Sequence, residues 1–144
     1  MCSILELVKE QEIFCADVNQ SVMEVAQQMV DHNIGAVPVL NEGRLAGIFS
    51  ERDLMKRVVV AGRSPETTKV GEVMTANPLS VNPAEELENC LMLMRNHGFR
   101  HLPICDGSSL KGMVSLRDIL LRDLTDKDDE VRMMRAYIHS APQI

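Results

Sequence analysis

Two short segments of the chain carry side chains that could bind a polar ligand at the start of a helix. They are "GIFSERDL" at 47–54 and "GMVSLRDI" at 112–119. A serine at a helix N-cap lies beside free backbone N–H groups and the positive end of the helix dipole, which suit an anionic or polar ligand. An aspartate in the first turn can accept hydrogen bonds from two adjacent hydroxyls, as a ribose presents them. The shared residues recur 65 positions apart: Gly47, Ser50, Arg52 and Asp53 return as Gly112, Ser115, Arg117 and Asp118.

The same S-x-x-D pattern also describes a helix cap without a ligand. In that interpretation the serine accepts a hydrogen bond from the first helical turn, and the aspartate accepts one from the serine N–H. Arg52 and Arg117 are not needed for a cap and favour the ligand interpretation, although each could equally face solvent. On local sequence alone both interpretations stay open.

A basic pair distinguishes the second segment from the first. Arg100 and His101, in "FRHLP", enter the strand of the second half, whereas Gly35 and Ala36 hold those places in the first half. The planar guanidinium fork of arginine suits a phosphate. The sequence therefore predicts two unequal candidate sites, of which the second is the more cationic.

Catalysis and metal binding have little support in the sequence. It contains no Ser/His/Asp order, H-E-x-x-H or P-loop, and His32 and His97 are expected at helix C-terminal turns, where a histidine is favourable. Without such a catalytic arrangement we do not expect an enzyme. The four cysteines lie far apart without a C-x-x-C, so we expect reduced thiols and no zinc site.

Composition limits the class of protein. The 144 residues suffice for one ordinary domain, and 45% are hydrophobic without any run approaching the roughly 20 apolar residues of a membrane helix. A net charge of −6 argues against a nucleic-acid partner. The N-terminus lacks a basic segment followed by an apolar run, so we expect a cytoplasmic protein with neither an export signal nor a membrane partner.

An internal repeat explains why the two segments agree. Displacing the chain by 65 positions, without a gap, brings identical residues together far outside them, which indicates a duplicated unit near 5–60 and 70–125. The further identical pairs are Val8 with Val73, Met29 with Met94, His32 with His97, Pro38 with Pro103, Leu45 with Leu110 and Arg57 with Arg122.

Each unit predicts the order strand, helix, strand, strand, helix. The leading strand is expected near 13–16 or 78–81, and the first helix after an N-cap at Asp17 or Asn82. That helix should end near Asn33 or Gly98, because these residues tolerate the left-handed conformation. Two hairpins follow, "AVPVL" to "RLAGIF" and "HLPI" to "LKGMV", with their prolines at edge or irregular points of the sheet.

With these residues in place, the chain resembles a tandem pair of CBS (cystathionine β-synthase) domains, or Bateman module, of the stand-alone bacterial type. The resemblance covers about residues 4–123 and includes "VGEVMTANPLSV", similar to the usual lead into a second domain. It implies an α/β fold of two pseudo-symmetric β-α-β-β-α repeats packed together. The expected boundaries are 1–62 for the first repeat, 63–125 for the second with its linker (61–74), and 126–144 for a C-terminal tail helix.

The resemblance also implies a regulatory module that binds an adenosine-containing ligand, AMP, ADP or ATP, between the repeats. Asp53 and Asp118 would hold ribose hydroxyls beside Ser50 and Ser115. The remaining implied contacts are Ile48 and Met113 on the adenine, Arg100 and His101 on phosphate, and Leu79, Ser80, Phe14 and Cys15 on the leading strands that line the base pocket.

The segment "GMVSLRDI" is similar to one in the γ subunit of AMP-activated protein kinase, but this chain departs from it at the residue before the aspartate. That subunit has a small polar residue there, and this chain has Arg52 or Arg117. The resemblance further implies a homodimer associated through helices and a regulated partner protein. The alternative function is a structural or protein-interaction module with no nucleotide bound.

Overall fold

The computed structural model describes residues 4–8 and 12–126 as two similar halves, each built from a β-hairpin covered by helices. The expected tail helix at 126–144 lies, beyond Asp126, outside the described residues. The helices are α1 Leu5–Val8, α2 Val22–Asp31, α3 Glu51–Asp53 continued by a π-helical segment Leu54–Val59, α4 Val70–Val73, α5 Leu87–His97 and α6 Leu116–Asp126. The strands are β1 Ala16–Asp17, β2 Ala36–Asn41, β3 Arg44–Ser50, β4 Thr75–Ala76, β5 His101–Asp106 and β6 Ser109–Ser115.

The two hairpins confirm the strand prediction for both halves. β2 pairs with β3 and β5 with β6, both antiparallel, and each ladder has a register irregularity at the same repeat position, Val39/Leu40 and Ile104/Cys105. Glu42 and Gly43 both have positive φ, as a type I′ turn requires, whereas Gly107 alone does so in the second hairpin, as in type II′. Turn residues therefore set the hairpin register in both halves.

The leading strands are shorter and later than expected. In the first half, β1 covers only two residues and pairs in parallel with β2. In the second half a single bridge, from Val81 to Ile104, takes its place.

The N-cap predictions at Asp17 and Asn82 are wrong. The α2 cap is Ser21, whose Oγ accepts from Glu24 N at 3.1 Å, and α5 begins after Glu86. Asp17 and Asn82 instead accept from backbone N–H groups two residues on, at 2.9 and 2.7 Å. These local Asx turns compete with a helix start and delay it by one turn.

Four other predictions at helix ends are confirmed. Asn33 and Gly98 follow α2 and α5 with positive φ. Ser50 caps α3, accepting from Asp53 N at 3.2 Å, and Ser115 precedes α6 with the same bond from Asp118 N at 3.1 Å.

Each half completes its hydrophobic core with a helix that the sequence places beside the other half. Val70 and Val73 of α4 are buried in the core of the first half with Phe49, while Ile4 and Val8, at α1, are buried in the core of the second. The segment 61–74 is therefore not the simple linker that its composition predicts, because its last turn is a packed helix.

Within the described part of the chain, no helix is long and apolar enough to cross a membrane. The cytoplasmic location stays a prediction.

We predict that Val25→Ala lowers the free energy of unfolding by about 2 kcal/mol, because each buried CH₂ contributes about 0.8 kcal/mol and a cavity adds to the loss. Val25 is fully buried, whereas Val30 on the same helix is 74% exposed. The matched variant Val30→Ala should change the free energy of unfolding by less than about 0.5 kcal/mol. Urea unfolding of both variants measures the difference, and equal losses would contradict the assigned core face.

Candidate functional site

A cavity of about 620 Å³ lies between the two halves of the molecule. Its volume falls in the range of about 300–1,000 Å³ that small-molecule sites occupy. The first half contributes the segments before β1 and after α2, and the second contributes the entry to β5 and the start of α6. The lining residues are Glu12, Ile13, Phe14, Asn33, Ile34, Gly35, Ala36, Pro38, Arg100, His101, Met113, Ser115, Leu116, Arg117, Asp118, Leu120 and Leu121.

Asp118 presents an exposed carboxylate to this cavity from the first turn of α6. Its Oδ2 accepts a hydrogen bond from Ser115 N at 3.0 Å, and its own N–H donates to Ser115 Oγ at 3.1 Å. The capping interpretation is thus confirmed as geometry. Capping occupies only Oδ2, and Oδ1 has no hydrogen-bond partner among the residues that the structure describes. A ligand hydroxyl can reach that oxygen without breaking the cap.

Two guanidinium groups and one imidazole share the wall with Asp118. Arg100 and Arg117 are exposed, and His101 is partly buried at the start of β5. Burial lowers the pKa of His101, and the charge of Arg100 adds to that effect, whereas Asp118 and Glu51 oppose it. His101 is therefore a neutral imidazole near pH 7, and the two arginines carry the positive charge of this wall.

Apolar side chains also line the cavity. Phe14, Ile34 and Pro38 line it from the first half, and Met113 lines it from β6. The ring of Phe14 lies 3.6 Å from that of His32, between centroids, which holds the phenyl group at the cavity edge. An aromatic base suits such a surface, because it buries its flat faces while its edge atoms stay available to hydrogen bonds.

The structure brings half of the predicted site residues together. Arg117, Asp118, Ser115, Met113, Arg100, His101 and Phe14 line the cavity. The other predicted residues lie outside its lining: Cys15, Ile48, Ser50, Arg52, Asp53, Leu79 and Ser80. Their part in binding stays a prediction.

The first S-x-x-D motif has different surroundings from the second. Asp53 is only 7% exposed. Its Oδ2 accepts from Ser50 N at 3.0 Å and from Ser50 Oγ at 3.1 Å, and its Oδ1 accepts from Thr75 Oγ1 at 3.1 Å. Arg57 Nε lies 3.8 Å from the same Oδ1. Both oxygens of this carboxylate therefore have partners inside the protein.

Apart from Phe14, sequence reasoning missed the residues that the first half adds to the Asp118 site. Glu12 and Ile13 precede the leading strand, and Asn33, Ile34 and Gly35 follow α2. A repeat alignment shows which residues correspond but not which half each segment faces. One signal was available for these residues: the segment "EIF" places apolar residues directly before a short strand.

Among the described residues, no group of three His, Cys, Asp or Glu side chains could hold a metal ion. The three described cysteines, Cys15, Cys90 and Cys105, are free thiols. Burial, with a smaller effect of Glu85, raises the pKa of Cys90 to about 11, so this thiol behaves as an apolar core group at neutral pH.

We predict that His101 makes the protein less stable in mild acid. Its pKa is lowered in the folded state, so the unfolded state binds more protons between the two pKa values. The contribution is fully present above the ordinary pKa of 6.5 and is lost as the pH falls toward the folded value. Denaturant unfolding at pH 7.5 and 5.5 should show a smaller loss for His101→Gln than for the wild type. An unchanged loss in His101→Gln, equal to that of the control His32→Gln, would contradict this role.

Comparison with known proteins gives the family. The CBS domain family matches residues 6–60 and 70–124. The chain is 38% identical over 109 residues to CBS domain-containing protein YhcV of Bacillus subtilis, covering 76% of this chain and 77% of that protein. It is 33% identical over 125 residues to the mitochondrial CBS domain-containing protein CBSX3 of Arabidopsis thaliana, covering 83% of this chain but only 61% of that protein.

A solved structure agrees with the match in three dimensions. A protein with CBS domains from Burkholderia ambifaria superimposes with a TM-score of 0.81 at 32% identity, covering 88% of this chain and 96% of that one. The duplicated sequence, the two matching halves and the cleft between them lead to one conclusion: the chain belongs to the CBS domain family and carries two CBS domains in tandem.

Proposed function

We propose that the protein is a regulatory module that binds an adenine nucleotide, AMP, ADP or ATP, in the cavity between its two CBS domains. The observation that carries this proposal is the exposed Asp118 carboxylate on the wall of a 620 Å³ cavity that Arg100 and Arg117 also line. A ribose, a phosphate and an aromatic base each have a matching surface there.

Each part of the nucleotide has a proposed partner. Oδ1 of Asp118 accepts a hydrogen bond from a ribose hydroxyl, while Oδ2 keeps its bond to Ser115 N. The base packs between Phe14 and Met113. The phosphates lie toward Arg100 and Arg117, where charge-assisted hydrogen bonds to an arginine are stronger than neutral ones.

The phosphate side of the cavity also contains negative charge. Glu12 lines the cavity, and Glu51 lies close enough to His101 to raise its pKa against the effect of burial. These carboxylates offset part of the charge of the two arginines. We therefore infer that phosphates beyond the second meet net repulsion, which favours AMP or ADP over ATP.

Regulation follows from the position of the cavity. Because both halves contribute walls, a bound nucleotide contacts Phe14 from one half and Asp118 from the other. Such a ligand favours the arrangement in which these walls lie at their binding distance, in proportion to its difference in affinity between arrangements. The change in packing is what a regulated partner protein would detect.

A module without a nucleotide is the second candidate function. The bonds between Ser115 and Asp118 favour it, because they already give both residues a structural role as a helix cap. In that case the cavity would be empty and the protein would act through protein contacts alone.

We predict that an adenine nucleotide raises the thermal unfolding midpoint. Ligand at about a hundred times its dissociation constant adds roughly 2.7 kcal/mol, which corresponds to several degrees. Differential scanning fluorimetry with adenosine, AMP, ADP, ATP, NAD and S-adenosylmethionine should show the largest shift for AMP or ADP. Adenosine should give a smaller shift, because it lacks the phosphate that the arginines bind.

The variant Asp118→Asn should abolish the shift and leave the unfolding midpoint of the free protein nearly unchanged, because asparagine keeps the capping acceptor. The exposed Asp106→Asn, on the same half, is the matched control and should keep the full shift. If none of the six compounds shifts the wild type, the nucleotide function is wrong and the capping function stands.

We also propose that the protein is a homodimer associated through its helices. Met55, Val59 and Val60, at the π-helical segment and its end, are 63%, 67% and 78% exposed. A contiguous patch of exposed apolar side chains is typical of an interaction surface.

For the homodimer we predict a mass of twice 16.1 kDa in sedimentation velocity and a shift toward monomer in Val59→Lys. A lysine at this position would bury an unpaired charge in the interface, which is costly. Thr67→Lys adds the same charge to the exposed segment before α4 and should stay dimeric. A wild type that sediments as a monomer at all concentrations would contradict the proposal.

A further inference from the structure

The carboxylate of Asp53 connects three separate segments of the first half. Ser50 at the end of β3 donates two hydrogen bonds to Oδ2, and Thr75 of β4 donates one to Oδ1. Arg57, one helical turn after Asp53, lies 3.8 Å from Oδ1 and donates through Nη1 to the carbonyl of Met74 at 2.6 Å. Asp53, Arg57, Met74 and Thr75 thus form a closed set of contacts.

This set fastens the segment 74–76 against β3. Thr75 pairs with Ile48 and Ala76 with Gly47 in the antiparallel ladder. The approach at Gly47 is so close that a Cβ there would lie 2.6 Å from the Thr75 carbonyl oxygen. The edge of β3 that leads into the first S-x-x-D motif is therefore paired with β4 at Ile48, the residue whose counterpart in the second half is Met113.

Asp118 differs from Asp53 in its exposure and in the partners of its second carboxylate oxygen. It is exposed, whereas Asp53 is 7% exposed. Its hydrogen bonds within the described residues go to Ser115 alone. The residue 65 positions before Thr75 is Glu10, and a carboxylate has no proton to donate at neutral pH. The sequence thus lacks, at the corresponding position, the hydroxyl that occupies Oδ1 of Asp53.

We infer that Asp53 is a structural tie between α3 and β4 rather than a ribose-binding residue, and that Thr75 sets this difference. Because Asp53 is only 7% exposed and Thr75 and Arg57 surround its Oδ1, a ribose hydroxyl could reach that oxygen only by displacing one of them, so it would gain little while releasing the segment 74–76. The stoichiometric consequence rests on the proposed function: each chain binds one nucleotide, at Asp118, although it carries two S-x-x-D motifs.

Isothermal titration calorimetry with AMP tests the stoichiometry on the full chain. We expect one site per chain in the wild type and in Thr75→Val, with dissociation constants that agree within about twofold. Asp118→Asn should weaken binding at least tenfold. Two sites per chain, or binding that is lost in Asp53→Ala and kept in Asp118→Asn, would overturn the inference.

A double-mutant cycle in urea unfolding tests the tie without any ligand. Valine has the shape of threonine without its hydroxyl, so Thr75→Val should lower the unfolding midpoint in the wild-type background and have no further effect in Asp53→Ala. Equal losses in both backgrounds would overturn the tie. If AMP does not bind at all, the proposed function fails, and this cycle alone decides the role of Asp53.

If Asp53→Ala does not fold, the cycle is run with Asp53→Asn. Asparagine keeps the acceptor oxygen but loses the charge that faces Arg57. Thr75→Val should then lower the stability to urea less than it does beside the carboxylate, because hydrogen bonds to charged groups are the stronger ones. An unchanged cost of Thr75→Val would again overturn the tie.

Discussion

The exchange of short helices between the two halves is the constraint on which the ligand cavity depends. Ile4 and Val8 are buried in the core of the second half, and Val70 and Val73 in that of the first. Backbone hydrogen bonds accompany this packing, from Ile4 N to Glu85 O at 2.7 Å and from Val70 N to Gln20 O at 2.8 Å. Neither half could separate without exposing part of its core. Phe14 from the first half and Asp118 from the second line the same cavity between the halves held together in this way.

Duplication followed by divergence explains how one motif serves two purposes. Both serines cap a helix, and both aspartates accept a hydrogen bond from the serine N–H. The difference lies outside the motif, in Thr75 and the close approach of β4 to Gly47. A nearly buried carboxylate needs partners for both oxygens, whereas an exposed one can leave an oxygen for a ligand. Environment rather than residue type therefore decides which aspartate is available.

Much of the fold was predictable because its signals are local. The hairpins follow from turn residues and alternating apolar positions, and Asn33 and Gly98 end their helices through positive φ. The two first-helix N-caps were predicted wrongly, because the Asx turns at Asp17 and Asn82 use the same residue types as a cap. Among the site residues, Ser115, Asp118 and Arg100 could be found from the motif and the repeat. Phe14 was predicted to line a base pocket, but its place in the same cavity as Asp118 could not be predicted, because apolar periodicity shows that Val8 and Val73 are buried but not in which core.

A crystal structure of the protein grown with AMP tests the central claim most directly. We predict a ribose hydroxyl within hydrogen-bond distance of Asp118 Oδ1, the base between Phe14 and Met113, and the phosphate beside Arg100. Asp53 should keep its bonds to Ser50 and Thr75, with no nucleotide beside it. A nucleotide whose ribose lies on Asp53, or density for AMP outside the cavity between the two domains, would contradict the claim.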